Sequence, residues 1–182
     1  FNYYRNHYWD NFNIGDETLL RMPDGMYRKK IETYMDNLHM QHPDSLIKGI
    51  QRISELSGVN QETYKYAIWN LCIKYQTPKI MGQDEVFIYM YDTYFGSGKM
   101  DYWANASLKK NLKEHADQLR KSLVGSIAPN MIMLNDKLQK VSMYDIKKKY
   151  TILYFFDPDC GHCKKETPKL RDFYTNTKHD VD

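Results

Sequence analysis

The sequence predicts an α+β protein, with a mostly helical N-terminal domain followed by a short α/β segment. Three observations carry that expectation. Apolar residues recur at three- and four-residue steps through the first two-thirds of the 182 residues. The texture changes at Gly125 to short apolar runs separated by turn residues. One run of consecutive apolar residues, Ile152 to Phe156, then leads through an acidic turn into the string CGHC. The expected domains are therefore residues 1–123, helical, and residues 124–182, α/β.

Residues 1–22 are dense in aromatics (Tyr3, Tyr4, Tyr8, Trp9, Phe12) without one clear period, and a short helix fits there. Pro23 suits a first helical position, and Met26, Tyr27, Ile31, Tyr34 and Leu38 follow as one apolar stripe that Pro43 ends. Asp44 or Ser45 is placed to cap the next helix, whose stripe is Leu46, Ile47, Ile50, Ile53 and Leu56. Ser57-Gly58 stops it. Asn60 opens a third helix with Tyr64, Ile68, Leu71, Cys72 and Tyr75 on its face, closed by Thr77-Pro78. A fourth spans about 84–95, carrying Val86, Phe87, Met90 and Tyr94. A fifth opens near Asn105, with Leu108, Leu112, Ala116, Leu119 and Leu123 in phase.

Beyond Gly125, Met131–Leu134 and Val141–Met143 flank the turn residues Asn135-Asp136, the pattern of a hairpin. Lys147-Lys148-Lys149 is read as a solvated basic run. Tyr150–Phe156 lacks alternation, so both faces call for burial, as in the middle of a sheet covered by helices. Asp157-Pro158-Asp159 ends it. A helix starts at Cys160, with Leu170, Phe173 and Tyr174 expected on its buried side.

Composition narrows the function classes. A hydrophobic fraction of 42% supports a core and excludes a disordered chain. The net charge of +3 includes no concentrated basic stripe, so nucleic acid is not an expected partner. No apolar run approaches the roughly 20 residues of a membrane span. Three cysteines are too few for a disulfide framework. Cys72 falls in a helical apolar stripe and reads as a small core residue. His39 and His42, beside Pro43, read as a cap or surface pair. GSGK at 96–99 lacks the spacing of a phosphate loop. The many tyrosines are assigned to helix packing, hydroxyls outward.

Cys160 and Cys163 carry the chemistry. The thiolate is the reactive species in disulfide exchange, so a protein that uses it must lower a cysteine pKa and keep the sulfur accessible. A helix N-terminus does both through its unpaired amides and dipole. Cys160 is then the attacking thiol and Cys163, one turn in, the resolving thiol. Gly161 and His162 between them tune the balance. Protonated His162 favours the thiolate, whereas Asp157 and Asp159 oppose it. Pro168 is placed to kink the helix. A zinc site needs four ligands. The chain has no second cysteine pair, and His162 and His179 are merely near in sequence, so no metal is expected.

The run YFFDPDCGHCKKETPKL resembles the active-site segment of the TlpA-like branch of the thioredoxin superfamily, bacterial cell-envelope thiol–disulfide oxidoreductases. The likeness covers the apolar strand, Cys160, Cys163, Glu166, Pro168 and Leu170. GSIAPN at 125–130 with the following hairpin looks like the usual lead-in. The helical part, through HYWDNF, QHPDS, PKIMGQDEVF and the Trp103 region, is similar to a helical domain of unknown function that precedes the thioredoxin-like domain in Bacteroidetes-type envelope proteins. Two departures stand out: Asp159 replaces the Trp common before the first cysteine, and the intervening pair is Gly-His, as in protein disulfide isomerases.

The resemblance implies dithiol–disulfide exchange with protein or small-molecule disulfides and dithiols. It implies no cofactor beyond the cysteine pair, and a periplasmic or lipid-anchored envelope location. Later strands and a cis-proline loop belong to such a domain. None of the six prolines follows Pro168 and the chain begins at Phe1, so it reads as a piece of a longer or matured product, weakly active or inactive by itself. The alternative function is a helical binding or assembly module that positions a redox domain on an envelope partner. An apolar strand at 150–156 also predicts packing on the helical domain or self-association.

Overall fold

The computed structural model describes residues 2–23 and 25–177, and the chain divides into two units, Phe1–Ala128 and Pro129–Asp182. The first unit contains α1 (Asn2–His7), a 3₁₀ turn at Glu17–Arg21, α2 (Met26–Asn37), α3 (Pro43–Ser57), α4 (Gln61–Gln76), α5 (Asp84–Met90) and α6 (Ala106–Arg120). Helix α5 runs directly into a π-helical turn, Tyr91–Phe95, where the Gly96 amide donates to the Tyr91 carbonyl at 2.7 Å.

Two helix starts follow from their asparagines. The Asn60 side chain accepts the amides of Glu62 and Thr63 at 2.8 and 3.2 Å, and that of Asn105 accepts the Leu108 amide at 2.8 Å. Each cap contributes about 1 kcal/mol by satisfying donors the helix cannot. The prolines behave differently from expectation. Pro23 lies outside α2, because Gly25 intervenes in a left-handed conformation (φ 86°) as the N-cap, and Met26 is exposed. Pro43 opens α3 and does not end α2, which has already stopped at Leu38. A proline in the first turn sacrifices no helical hydrogen bond. His42 is therefore the N-cap, and Asp44 and Ser45 fall inside the helix.

The core of this unit is built from Leu46, Ile50 and Ile53 of α3, Ile68 and Leu71 of α4, Val86, Phe87 and Met90 of α5, and Leu112 and Ala116 of α6, all buried. Each such large side chain contributes about 1.5–3 kcal/mol through lost apolar exposure. Cys72 lies among them, fully buried, and the loss of water pushes its thiol up to about 12. The outward-hydroxyl expectation for tyrosine fails at two positions. Tyr27 donates its buried hydroxyl to the Ile14 carbonyl at 2.7 Å, and the Tyr75 hydroxyl is buried without a partner.

The second unit contains β1 (Ile132–Leu134), β2 (Lys140–Ser142), a 3₁₀ turn at Met143–Asp145, and α7 (Gly161–Asn176). The strands are antiparallel in the register Ile132↔Ser142, Met133↔Val141, Leu134↔Lys140. Asn135 closes the turn, its side chain accepting the Lys137 and Gln139 amides at 2.9 Å each, and Leu138 takes the left-handed conformation (φ 58°).

Two expectations for this unit are corrected. Residues 150–156 form no strand beyond an isolated bridge at Tyr150, and Ile152, Phe155 and Phe156 are 48, 76 and 60% exposed. A buried strand needs a neighbour on each edge, and the sheet among the described residues has two strands, paired with each other. Phe173 and Tyr174 of α7 are likewise exposed and Leu170 is half-buried, since no described residue of this unit is buried.

Candidate functional site

The segment Asp157–Asp159 folds as a tight turn that sets up α7. The Asp157 side chain accepts the Asp159 amide at 2.9 Å, and its carbonyl accepts the Cys160 amide at 3.1 Å. Cys160 is thereby held in an extended conformation as the N-cap, and its own carbonyl accepts the Lys164 amide at 3.1 Å. Cys160 makes no side-chain capping hydrogen bond, so its sulfur lies beside first-turn amides that no side chain occupies. The nearby Cys163 amide and thiol and the His162 amide favour the charged sulfur and hold the Cys160 pKa below the ordinary thiol value. The charged form is favoured by donors aimed at it, as at any helix N-terminus.

Both cysteines are free thiols and partly accessible. The residues expected at the site lie as follows. Cys160 and Cys163 meet across the first turn of α7. His162 is exposed and contributes through its backbone. Asp159 is exposed in the preceding turn. Gly161 is the first helical residue and faces open space, with no atom within 4 Å of where a Cβ would stand. Pro168 lies inside α7, where it lacks the amide that would bond the Lys164 carbonyl. His179 lies outside the described residues.

One contributor was not expected from sequence. Thr167 donates its hydroxyl to the Cys163 carbonyl at 2.8 Å, and the Tyr154 hydroxyl lies 3.1 Å from the Thr167 Oγ1. Tyr154 in turn stacks on Phe156, with ring centroids 5.7 Å apart. Threonine four residues after a helical cysteine is the signal that could have found it, because hydroxyls at that spacing bond back to the preceding turn. A cleft of about 280 Å³ lies beside Cys163, lined also by Phe156, Pro158, Lys164, Thr167 and Pro168. No group of three or more metal-ligating side chains is assembled among the described residues.

A partly accessible cysteine of lowered pKa at a helix N-terminus, with a second cysteine one turn on, is an arrangement suited to thiol redox chemistry. Comparison with known proteins agrees at that level. Residues 124–181 match the model of the AhpC/TSA family, which gives this part of the chain a redox-related character. The structure is similar to a thioredoxin-like protein from Bacteroides caccae ATCC 43185, with a TM-score of 0.70 at 18% identity, and that likeness shows the fold. The match covers 98% of this chain and 65% of that one, so the chain spans about two-thirds of the protein it resembles. Residues 1–119 match the family described as Domain of unknown function (DUF5106), and the chain belongs to that family. No curated protein matches the chain.

Proposed function

We propose that the intact protein is a thiol–disulfide oxidoreductase of the bacterial cell envelope, working through Cys160 and Cys163. The observation that carries this reading is the N-cap position of Cys160, a partly accessible free thiol one helical turn before the free thiol of Cys163. The Cys160 thiolate attacks one sulfur of a substrate disulfide. That S–S bond breaks, a Cys160–substrate disulfide forms, and the departing sulfur takes up a proton. Cys163 then loses its proton and attacks the Cys160 sulfur, expelling the second substrate thiol and leaving a Cys160–Cys163 disulfide. Two electrons have passed from the protein dithiol to the substrate, and an external dithiol returns them. The reverse sequence oxidises dithiols, the direction being set by the partner's reduction potential. Gly161 leaves the approach to Cys160 unshielded, His162 and Asp159 tune the thiolate from either side, and Pro168 shapes the helix below.

Trapping tests the assignment. A Cys163→Ser variant incubated with oxidised glutathione should accumulate a mixed disulfide at Cys160, and a Cys160→Ser variant should form none. Absence of the Cys160 adduct, or an equal adduct on Cys163 in Cys160→Ser, would overturn it.

The exposed run 150–156 supports a second copy as a further partner, since exposed aromatics beside unpaired backbone invite association. An envelope location rests on the sequence resemblance; no helix among the described residues is long and apolar enough to cross a membrane.

A further inference from the structure

A cavity of about 580 Å³ in the helical unit opens between α1, the α2–α3 connection and α3. Its size falls within the range of about 300–1,000 Å³ typical of small-molecule sites. Its lining is cationic: Arg5 comes from α1, and Lys48 and Arg52 from α3. The two α3 residues are four apart and so share one face of the helix, while Leu46, Ile50 and Ile53 occupy the core face. The lining includes one carboxylate, Asp44, and it already pairs with His42 at 3.6 Å. Arg5 meets the neutral Asn2 side chain at 3.3 Å and keeps its charge, while Arg52 shares its charge with Glu55, which lies outside the cavity lining, in an exposed pair at 3.5 Å. A concave surface lined by one sign of charge concentrates counter-ions, and guanidinium groups match the oxygens of carboxylate and phosphate groups.

A second observation is independent of charge. His39 lines the same cavity, is 7% exposed, and holds its ring by Nδ1 against the Ser45 hydroxyl at 3.3 Å. Its Nε2 is buried with no hydrogen-bond partner, an arrangement that costs stability. The chain makes room for this ring: a Cβ on Gly49 would stand 2.8 Å from Nε2. Glycine inside a helix is itself unfavourable, so two local sacrifices hold an imidazole at the cavity wall. The entry side is fixed as well. Tyr8 donates to the Lys30 carbonyl at 3.0 Å and Trp9 packs on Tyr34 at 5.0 Å, anchoring the chain just after Arg5.

We infer that this cavity is a binding site for a small ligand bearing two or more anionic oxygen groups, held by Arg5, Lys48 and Arg52. Calorimetric titration of the full chain at low ionic strength, with inorganic pyrophosphate and with citrate as probes, tests it. Saturable one-to-one binding of at least one probe is expected. Pyrophosphate alone would assign phosphoryl groups, and citrate alone would assign carboxylates. Arg5→Gln or Arg52→Gln should each weaken binding about tenfold or more, the loss of a charge-assisted contact. Arg52→Lys should weaken it less, and Lys110→Gln on α6 should leave it unchanged, with thermal unfolding checked for every variant. No saturable binding of either probe, or an equal loss in Lys110→Gln, would overturn the inference.

Discussion

Helices α4 and α7 are both sixteen residues long, yet one is embedded in a core and the other has no fully buried residue. Helix α4 buries Thr63, Ala67, Ile68, Leu71, Cys72 and Tyr75, while α7 buries none of its residues. The same contrast separates their cysteines. Burial pushes the Cys72 thiol up to about 12, and helix-terminal donors pull Cys160 below the ordinary value. Position relative to the helix end and to water, and not residue type, decides which sulfur is chemically available.

The contrast can be broken at its strongest point first. Leu71→Ala should destabilise the helical unit by about 2–5 kcal/mol, the cost of a core cavity, read as a shift in the urea midpoint of far-ultraviolet circular dichroism. A shift of a few tenths of a kcal/mol would mean that the α3–α4–α5 core is not tightly packed. At the other extreme, Phe156→Ala should change that midpoint by no more than about 0.5 kcal/mol, as an exposed substitution does. The same variant should shift the chain toward monomer in light scattering. A wild-type chain that is already a clean monomer, with rapid amide exchange across 150–156, would remove the self-association reading.

Local signals were legible where local physics decides. Asn60 and Asn105 cap the helices they were expected to open, and the Asn135-Asp136 turn carries its hairpin, because those interactions close within a few residues. Pro43 misled because proline both ends one segment and opens another, and only the neighbouring cap distinguishes the two. The run 150–156 was legible as apolar but not as exposed, since burial depends on strands that sequence-adjacent residues do not supply. His39 reads in sequence as a cap or surface group and is buried, because its room comes from Gly49, ten residues later. At the site, Cys160 and Cys163 stood out through spacing and context. Thr167 and Tyr154, which join through a contact thirteen residues apart, did not.

The central claim is that Cys160 is the activated thiol, and the pH dependence of alkylation addresses it directly. The native chain would be treated with iodoacetamide across pH 5–10 and each cysteine quantified by mass spectrometry. A thiol whose folded pKa is depressed stays ionised to lower pH, so Cys160 should be modified first, with its midpoint below the roughly 8.5 of a free cysteine. Cys72 should remain unmodified until the chain is unfolded. A Cys160 midpoint at or above the free value, or faster modification of Cys163 than of Cys160, would contradict the account.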